Sequence, residues 1–403
     1  TDPLVVRSLN TQSISGFSQF GAQPSSPQFQ NPTIYNPKAN FTWIKGRHSM
    51  KFGYEYQAVN TEVNDFNPSY GQDNYSGQFS RPAGAATSND AATQQARNLA
   101  DFMMGNRSEY SLTTYAIVHL QQRYNFMYFQ DDIKISPKLT INAGLRYEIV
   151  TPQYERNNKL ANFDPITKSL IQARSGGIYS RSLVNTPLNN LGPRFGFAYS
   201  ANDKTVLRGG YGIGYTQWNR AGGENNLTYN GPNVVNATIT QGTSAATAPS
   251  ASTLCTNDTQ PQSECFRQTQ QGYAADLTSP AYFNPLNATS RYIPRDFKTG
   301  YLQSYQIGIQ RQLPHGVVAD IAYVGSKATH LQTLADYNQA TPCIAGPGVT
   351  CGNLQSRRPI SNFGAIEIAY GIGSANYNSL QFKLEKRATK GLYLLNPFTY
   401  GRI

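Results

Sequence analysis

Leu139-Thr140-Ile141-Asn142-Ala143-Gly144-Leu145-Arg146-Tyr147-Glu148 decides the fold. Leu139, Ile141, Ala143, Leu145 and Tyr147 alternate with Thr140, Asn142, Gly144, Arg146 and Glu148. Successive side chains of a strand point to opposite faces, so this stretch has one apolar and one polar face. Across a Ser136-Pro137-Lys138 turn, a second strand is expected over residues 115–135, completing a hairpin. Its phase is ambiguous, because aromatics fall on both parities between Tyr124 and Phe129.

The same unit recurs four times. Residues 41–44 and 50–58 flank Lys45-Gly46-Arg47-His48, with Phe52, Tyr54, Tyr56 and Ala58 opposite in parity to Lys51, Gly53, Glu55 and Gln57. Residues 194–199 and 205–215 flank Ala201-Asn202-Asp203-Lys204. Residues 301–311 and 317–325 flank Leu313-Pro314-His315-Gly316. Residues 377–387 and 392–400 flank Ala388-Thr389-Lys390-Gly391. Between the hairpins lie segments 60–114, 152–191, 218–297 and 328–375, rich in Asn, Gly, Ser, Thr, Pro and Gln, which is turn and loop chemistry. These are far longer than the roughly 2–6 residues of an ordinary connection. Within them, residues 89–104 predict a short helix capped by Asn89 or Asp90 and stopped by Gly105.

Short turns alternating with long loops, between strands of roughly ten residues, are the pattern of a transmembrane β-barrel. Only helices and closed barrels satisfy backbone hydrogen bonds in lipid. The expected fold is therefore all-β: a transmembrane antiparallel up-and-down β-barrel, partial, with about ten strands in five hairpins and long extracellular loops. Residues 1–37 read as an N-terminal loop or edge segment and 38–403 as barrel. Gly210, Gly212 and Gly214 share a parity with Arg208 and are expected on the lumen side. A soluble glycan-binding β-protein would instead bury the rows Leu139/Ile141/Leu145 and Leu380/Phe382/Leu384 against another sheet.

Composition agrees. Of 403 residues only 14% are charged, against about 25% in a soluble domain, and Tyr (27) far outnumbers Trp (2). No window reaches the roughly 18 consecutive apolar residues of a spanning helix. Recurrent aromatics and β-branched residues exclude disorder. The net charge of +11 comes from 34 Lys+Arg against 23 Asp+Glu. These cations are scattered and form no basic run, so they describe a basic surface and not a nucleic-acid site.

The central hairpin, Tyr128-Phe129-Gln130-Asp131-Asp132 followed by residues 139–148, resembles a stretch of TonB-dependent outer-membrane receptors. More narrowly it resembles the Oar-like branch, whose members carry a carboxypeptidase-regulatory-like domain before plug and barrel. Four further segments agree in order: residues 43–53, Pro193-Arg194-Phe195-Gly196-Phe197-Ala198-Tyr199, Ala322-Tyr323-Val324-Gly325-Ser326, and Asn376-Tyr377-Asn378-Ser379-Leu380-Gln381. The resemblance implies a Gram-negative-type outer membrane, extracellular loops, and contact with outer-membrane lipid and lipopolysaccharide. It also implies a plug that engages the TonB complex, and import of a ligand such as an oligosaccharide, peptide or metal chelate. Such receptors have about 22 strands. With about ten strands and no plug pattern, this chain is expected to be a barrel fragment truncated at both ends. The alternative is a non-transporting outer-membrane adhesin or structural barrel.

Cys255 with Cys265, and Cys343 with Cys351, lie in polar loops, and an oxidising, periplasm-facing compartment predicts two local disulfides. Their spacing lacks the separation of about two to four residues, and the nearby His, of a metal site. His48, His119, His315 and His330 are scattered. Gly209-Gly210-Tyr211-Gly212-Ile213-Gly214 lies within a strand and lacks the spacing of a phosphate loop. Asp131 and Asp132 are adjacent in a strand, point to opposite faces and cannot form a dyad. No enzyme and no cofactor is expected. Parity places Arg146, Glu148, Arg208, Lys383 and Glu385 toward the lumen. Tyr70, Tyr75, Trp218, Tyr229 and Tyr273 are candidate loop contacts for an extracellular ligand, because aromatic faces beside amides suit sugars and peptides.

Overall fold

The computed structural model describes residues 9–26, 28–82, 90–217, 227–242, 249–250, 252–260, 265–344, 352–389 and 391–403. In chain order its strands begin with β1 (Thr11–Ile14), β2 (Phe29–Tyr35), β3 (Lys38–Lys45), β4 (His48–Asn64), β5 (Gln72–Tyr75), β6 (Glu109–Thr113) and β7 (Val118–Ser136). There follow β8 (Leu139–Val150), β9 (Tyr154–Glu155), β10 (Ala161–Asp164), β11 (Ser169–Gln172), β12 (Leu191–Asn202) and β13 (Thr205–Thr216). The last are β14 (Asn236–Thr240), β15 (Ser290–Tyr292), β16 (Gly300–Leu313), β17 (Val317–Asp336), β18 (Ile366–Thr389) and β19 (Leu392–Arg402). Two helices, α1 (Ala91–Met103) and α2 (Ile178–Ser182), lie in the long connections.

Among the described residues, thirteen strands form one sheet. β2 and β3 share one edge along β4, and the wall continues β4-β7-β8-β12-β13-β16-β17-β18-β19, antiparallel throughout. The five expected hairpins are β3-β4, β7-β8, β12-β13, β16-β17 and β18-β19. Among the described residues the sheet is open, with β2 and β3 along one edge and β15 and β19 along the other.

Directly opposed residues in antiparallel strands share a face, so the register traces an apolar belt around the wall. Phe52 opposes Phe129, and Phe129 opposes Leu145. Phe195 opposes Tyr211, and Tyr211 opposes Tyr305. Ile307 opposes Tyr323, Tyr323 opposes Leu380, and Leu380 opposes Tyr400. The belt is bare: Leu145 is 45% exposed, Ile307 56% and Leu380 53%. Among the described residues no second sheet covers it, which argues against the soluble-sandwich reading. A bare apolar belt around an antiparallel wall is a lipid-facing surface.

Glycines make room for rings across the strand pairs. A Cβ on Gly53 would stand 2.0 Å from the Tyr128 ring, on Gly209 2.3 Å from Phe197, and on Gly325 2.2 Å from Tyr305. Each ring fills the space that a Cβ on its glycine partner would take, a device that pins register. Tyr128 belongs to the inner parity with Tyr124 and Phe126, while Met127 and Phe129 face outward. The phase of β7 is thereby settled: its inner aromatics cover Gly53 and pack with Val59 and Val150.

The strands overrun their expected ends. β4 continues to Asn64, β17 to Asp336, and β18 begins at Ile366. Beyond the lipid neither face needs to be apolar, so alternation stops while pairing goes on. The long connections then fold into a roof with its own cores. Val63, Phe66, Val118, Leu120, Leu160, Val184, Val234 and Ile293 form one; Tyr110, Val235, Ala237 and Leu277 form another. The N-terminal strand β1 joins β5, β6 and β14 of these segments in a small sheet, β1-β5-β6-β14, and β10 and β11 form a hairpin. Helix α1 starts at Asp90, whose carboxylate accepts from the Thr93 backbone N–H at 2.8 Å. It ends as Gly105 takes a left-handed φ of 71°, a conformation glycine adopts at little cost.

Candidate functional site

The inner face of the wall is polar and short of side chains. Gln130, Asn142, Arg194, Arg208, Gln306 and Tyr377 line a cavity of about 760 Å3, floored by Gly144, Gly196, Gly210 and Gly212. A Cβ at Gly210 or Gly212 would meet nothing closer than 3.5 Å, and at Gly214 nothing within 4 Å. The missing side chains leave open lumen.

The five lumen candidates share the inner parity but do not form one cluster. Arg146 Nε donates to Glu148 Oε1 at 2.8 Å and its guanidinium lies 4.5 Å from the Phe126 ring centre. Glu148 Oε2 accepts from Gln217 at 2.7 Å. This group is internally neutral. Lys383 and Glu385 pair at 3.7 Å on β18. Arg208 stands apart, on the cavity wall with Arg194. Sequence reasoning had not singled out Arg194, although its parity opposite to Phe195 and Phe197 carried the signal. Asp131 and Asp132 point to opposite faces: Asp131 meets His48 Nδ1 at 2.6 Å on the outer side, and Asp132 accepts from Asn142 at 2.5 Å inside.

Of the loop aromatics expected to contact a ligand, Tyr75 is buried in the roof, and Tyr229 and Tyr273 are hydrogen-bonded within it. Tyr75 is only 1% exposed, and its hydroxyl meets Gln12 Oε1 at 2.8 Å and Thr269 Oγ1 at 2.6 Å. Tyr229 donates to the Asp65 carbonyl and stacks edge-on against Phe66 at 4.9 Å. Tyr273 donates to Asp73 Oδ1 at 3.0 Å, and Tyr70 is half-buried. Trp218 lies outside the described residues. The correction for Tyr75 has a plain cause: a loop of such length gains more by burying its aromatics in a core of its own than by holding them in water.

The centre of that core is an ion pair that sequence reasoning missed. Arg107 Nη1 donates to Asp73 Oδ1 at 2.8 Å, with both side chains 1% exposed. Arg107 also donates to the carbonyls of Arg267 and Gly272 at 3.2 and 2.6 Å. Its guanidinium lies 4.0 Å from the Tyr110 ring centre. Asp73 accepts further bonds from Asn10 and Gln12. A lone Asp and a lone Arg in separate loop segments give no sequence signal. Cys255 and Cys265 are joined in a disulfide. Cys343 is also disulfide-bonded; its expected partner Cys351 lies outside the described residues.

Burial pushes the Tyr75 and Tyr110 hydroxyls up to about 12, and burial, with the Asp73 carboxylate second, raises Tyr273 further. A phenol that stays protonated in the fold while the unfolded chain ionises near 10 removes stability as pH rises. The roof is therefore expected to hold its full stability below pH 10 and to lose it between pH 10 and about 12. Absorbance of tyrosinate at alkaline pH checks this: smooth ionisation of all tyrosines near pH 10, with no late step, would contradict it.

Bare apolar belt, polar glycine-lined interior, short turns at one rim and packed roof at the other make a barrel wall. A family model described as an outer membrane beta barrel domain matches residues 1–403. The chain belongs to this family. As an outer-membrane barrel domain it resides in the outer membrane. No curated protein matches its sequence. Among solved structures it is similar to the outer membrane transporter YddB from Escherichia coli, at 12% identity and TM-score 0.49, covering 97% of this chain and 36% of that one. It is also similar to the ferric enterobactin receptor PfeA of Pseudomonas aeruginosa, at 12% identity and TM-score 0.42, over 95% of this chain and 36% of that one. The FrpB iron transporter from Neisseria meningitidis matches at 12% identity and TM-score 0.41, over 93% and 37%. The barrel domain thus spans little more than a third of the length of these proteins.

Proposed function

We propose that this barrel domain is a wall and roof segment of an Oar-like TonB-dependent receptor that binds and imports an extracellular ligand. The observation that carries the reading is the inner face. It is concave, polar and floored by glycines, and two arginines, Arg194 and Arg208, project into it beneath a packed roof. A surface without side chains accepts another folded element at close range, as a plug inside a barrel requires. The motif order of the five hairpins supports the Oar-like branch. The ligand class remains oligosaccharide, peptide or metal chelate, taken across the roof, with the TonB complex engaged through a plug. A barrel wall needs no catalytic group.

Recovering the contiguous coding sequence on either side of Thr1 and Ile403 tests the proposal. A plug-type domain upstream and about a dozen further strands downstream are expected. True termini at these residues would overturn the transporter reading and favour an adhesive or structural barrel.

A further inference from the structure

A second cavity, about 400 Å3, crosses the roofed rim at the top of β13 and β16, a volume in the range of small-molecule sites. Tyr215 and Tyr301 stand on its outward side, opposed in register with their rings 6.0 Å apart. Tyr301 is at the second position of β16, twelve residues above Leu313. At roughly 3.3 Å per residue and a tilt of about 40°, that is about 30 Å above the short turns, at the upper end of the belt and the edge of water. Asn190 stands on the inward side. It precedes β12 by one residue, on the parity of Gly192 and Arg194, and its carbonyl accepts from the Glu148 N–H at 3.0 Å. A smaller cavity shares Asn185, Pro187, Phe297 and Thr299 with this one and continues to Gln122 and Val150 on the inner face. The two together join the outer rim to the space beneath the roof, a place for a water-borne molecule.

Its walls combine three chemistries. Tyr215, Tyr301 and Phe297 offer flat apolar faces, on which a sugar ring can lie. His330 offers an acceptor. Its Nδ1 meets the Gly371 carbonyl at 3.0 Å, so in the neutral ring the proton sits on Nδ1 and Nε2 is left to accept from a hydroxyl. That ring stands edge-on to Tyr301, 5.7 Å away. The third chemistry is a surplus of donors. Asn190 is 2% exposed, and its Nδ2 has no acceptor among the described groups. The acid beside it, Glu148, is taken up by Arg146 and Gln217. Among the described residues Lys298 has no carboxylate partner, and the cavity's own acid, Asp296, is held by Asn185 Nδ2 at 2.6 Å. Ring faces beside a hydroxyl acceptor match a sugar, and a cation with an unused buried donor matches a negative oxygen on that sugar.

We propose that this cavity binds a soluble oligosaccharide that carries a carboxylate, a uronate, with Lys298 and Asn190 Nδ2 on the carboxylate and the tyrosines against the ring. The proposal rests on the receptor reading and narrows its ligand class. The experiment is isothermal titration of the 403-residue chain in mild detergent with trigalacturonate, with the neutral trisaccharide galactotriose and with the peptide triglutamate. Lys298→Glu and the milder Lys298→Met are compared with Lys204→Glu, an exposed lysine in the short turn at the other rim, and the heat-modifiable gel shift checks that each variant folds. One trigalacturonate per chain is expected, weakened at least tenfold by K298E and K298M and unchanged by K204E. It is expected to bind at least tenfold more tightly than galactotriose or triglutamate. Equal binding of galactotriose would overturn the proposal in favour of a neutral-sugar site, and equal binding of triglutamate in favour of a peptide site. No binding of trigalacturonate, or binding that both Lys298 variants leave unchanged, would overturn it outright. Each of these failures leaves the receptor reading standing, because that reading is decided by the flanking sequence and not by the ligand.

Discussion

Ile307→Arg is expected to lower the stability of the wall in lipid by about 2–4 kcal/mol, whereas Gln306→Arg beside it stays within about 0.5 kcal/mol. Ile307 lies outward on β16, opposite Gly209 and Tyr323 and 56% exposed. It stands six residues from Leu313, about 15 Å above the short turns and so near the bilayer midplane, where a guanidinium has no water. Gln306 lines the lumen cavity, where an added charge stays hydrated. Denaturant midpoints in phospholipid vesicles, with folding followed by the heat-modifiable gel shift, measure both. Equal losses, or a larger loss at Gln306, would mean that the faces are assigned the wrong way round.

Arg107→Met is expected to unfold the roof while leaving the hairpin ladder paired. The substitution strands the Asp73 carboxylate at 1% exposure, still surrounded by Asn10, Gln12 and Tyr273. Breaking a buried pair from one side costs about 3–5 kcal/mol, because the remaining charge is uncompensated. Replacing both partners, as in Arg107→Met with Asp73→Leu, restores part of the loss, since the apolar pair removes the stranded charge along with the bond. Protease cleavage within residues 60–114 reads the roof, and far-UV circular dichroism reads the wall. An Arg107→Met roof as resistant as the parent would show that the pair contributes no stability. A double variant worse than the single would show that the hydrogen bonds around Asp73 matter more than its charge.

The wall was legible because lipid imposes a strict rule on it. Leu139 to Glu148 can satisfy a bilayer on one side and water on the other only by alternating, and each short turn shows where the rule stops. Parity also puts Arg208 and Glu148 on the face opposite the apolar belt. The roof was not legible, because no such rule governs it. Tyr75 reads as a binding aromatic and is a core residue, since nothing local distinguishes the two. Asp73 and Arg107 meet only after residues 68–115 and 265–273 are brought together, a contact with no periodicity to announce it. Asp90 and Gly105 were readable, because a helix cap is a chemistry of adjacent residues.

The buried cores of this molecule lie largely in its roof, while its most apolar surface is turned outward along the wall. The two halves are therefore held by different solvents. Water drives the roof together by expelling its apolar groups, and does nothing for a belt that ends in hydrocarbon. A substitution at Arg107 acts first on the roof and one at Ile307 first on the belt, although β4 and β7 run through both. Lipid or detergent therefore sets the condition of the belt, while denaturants acting through water set that of the roof.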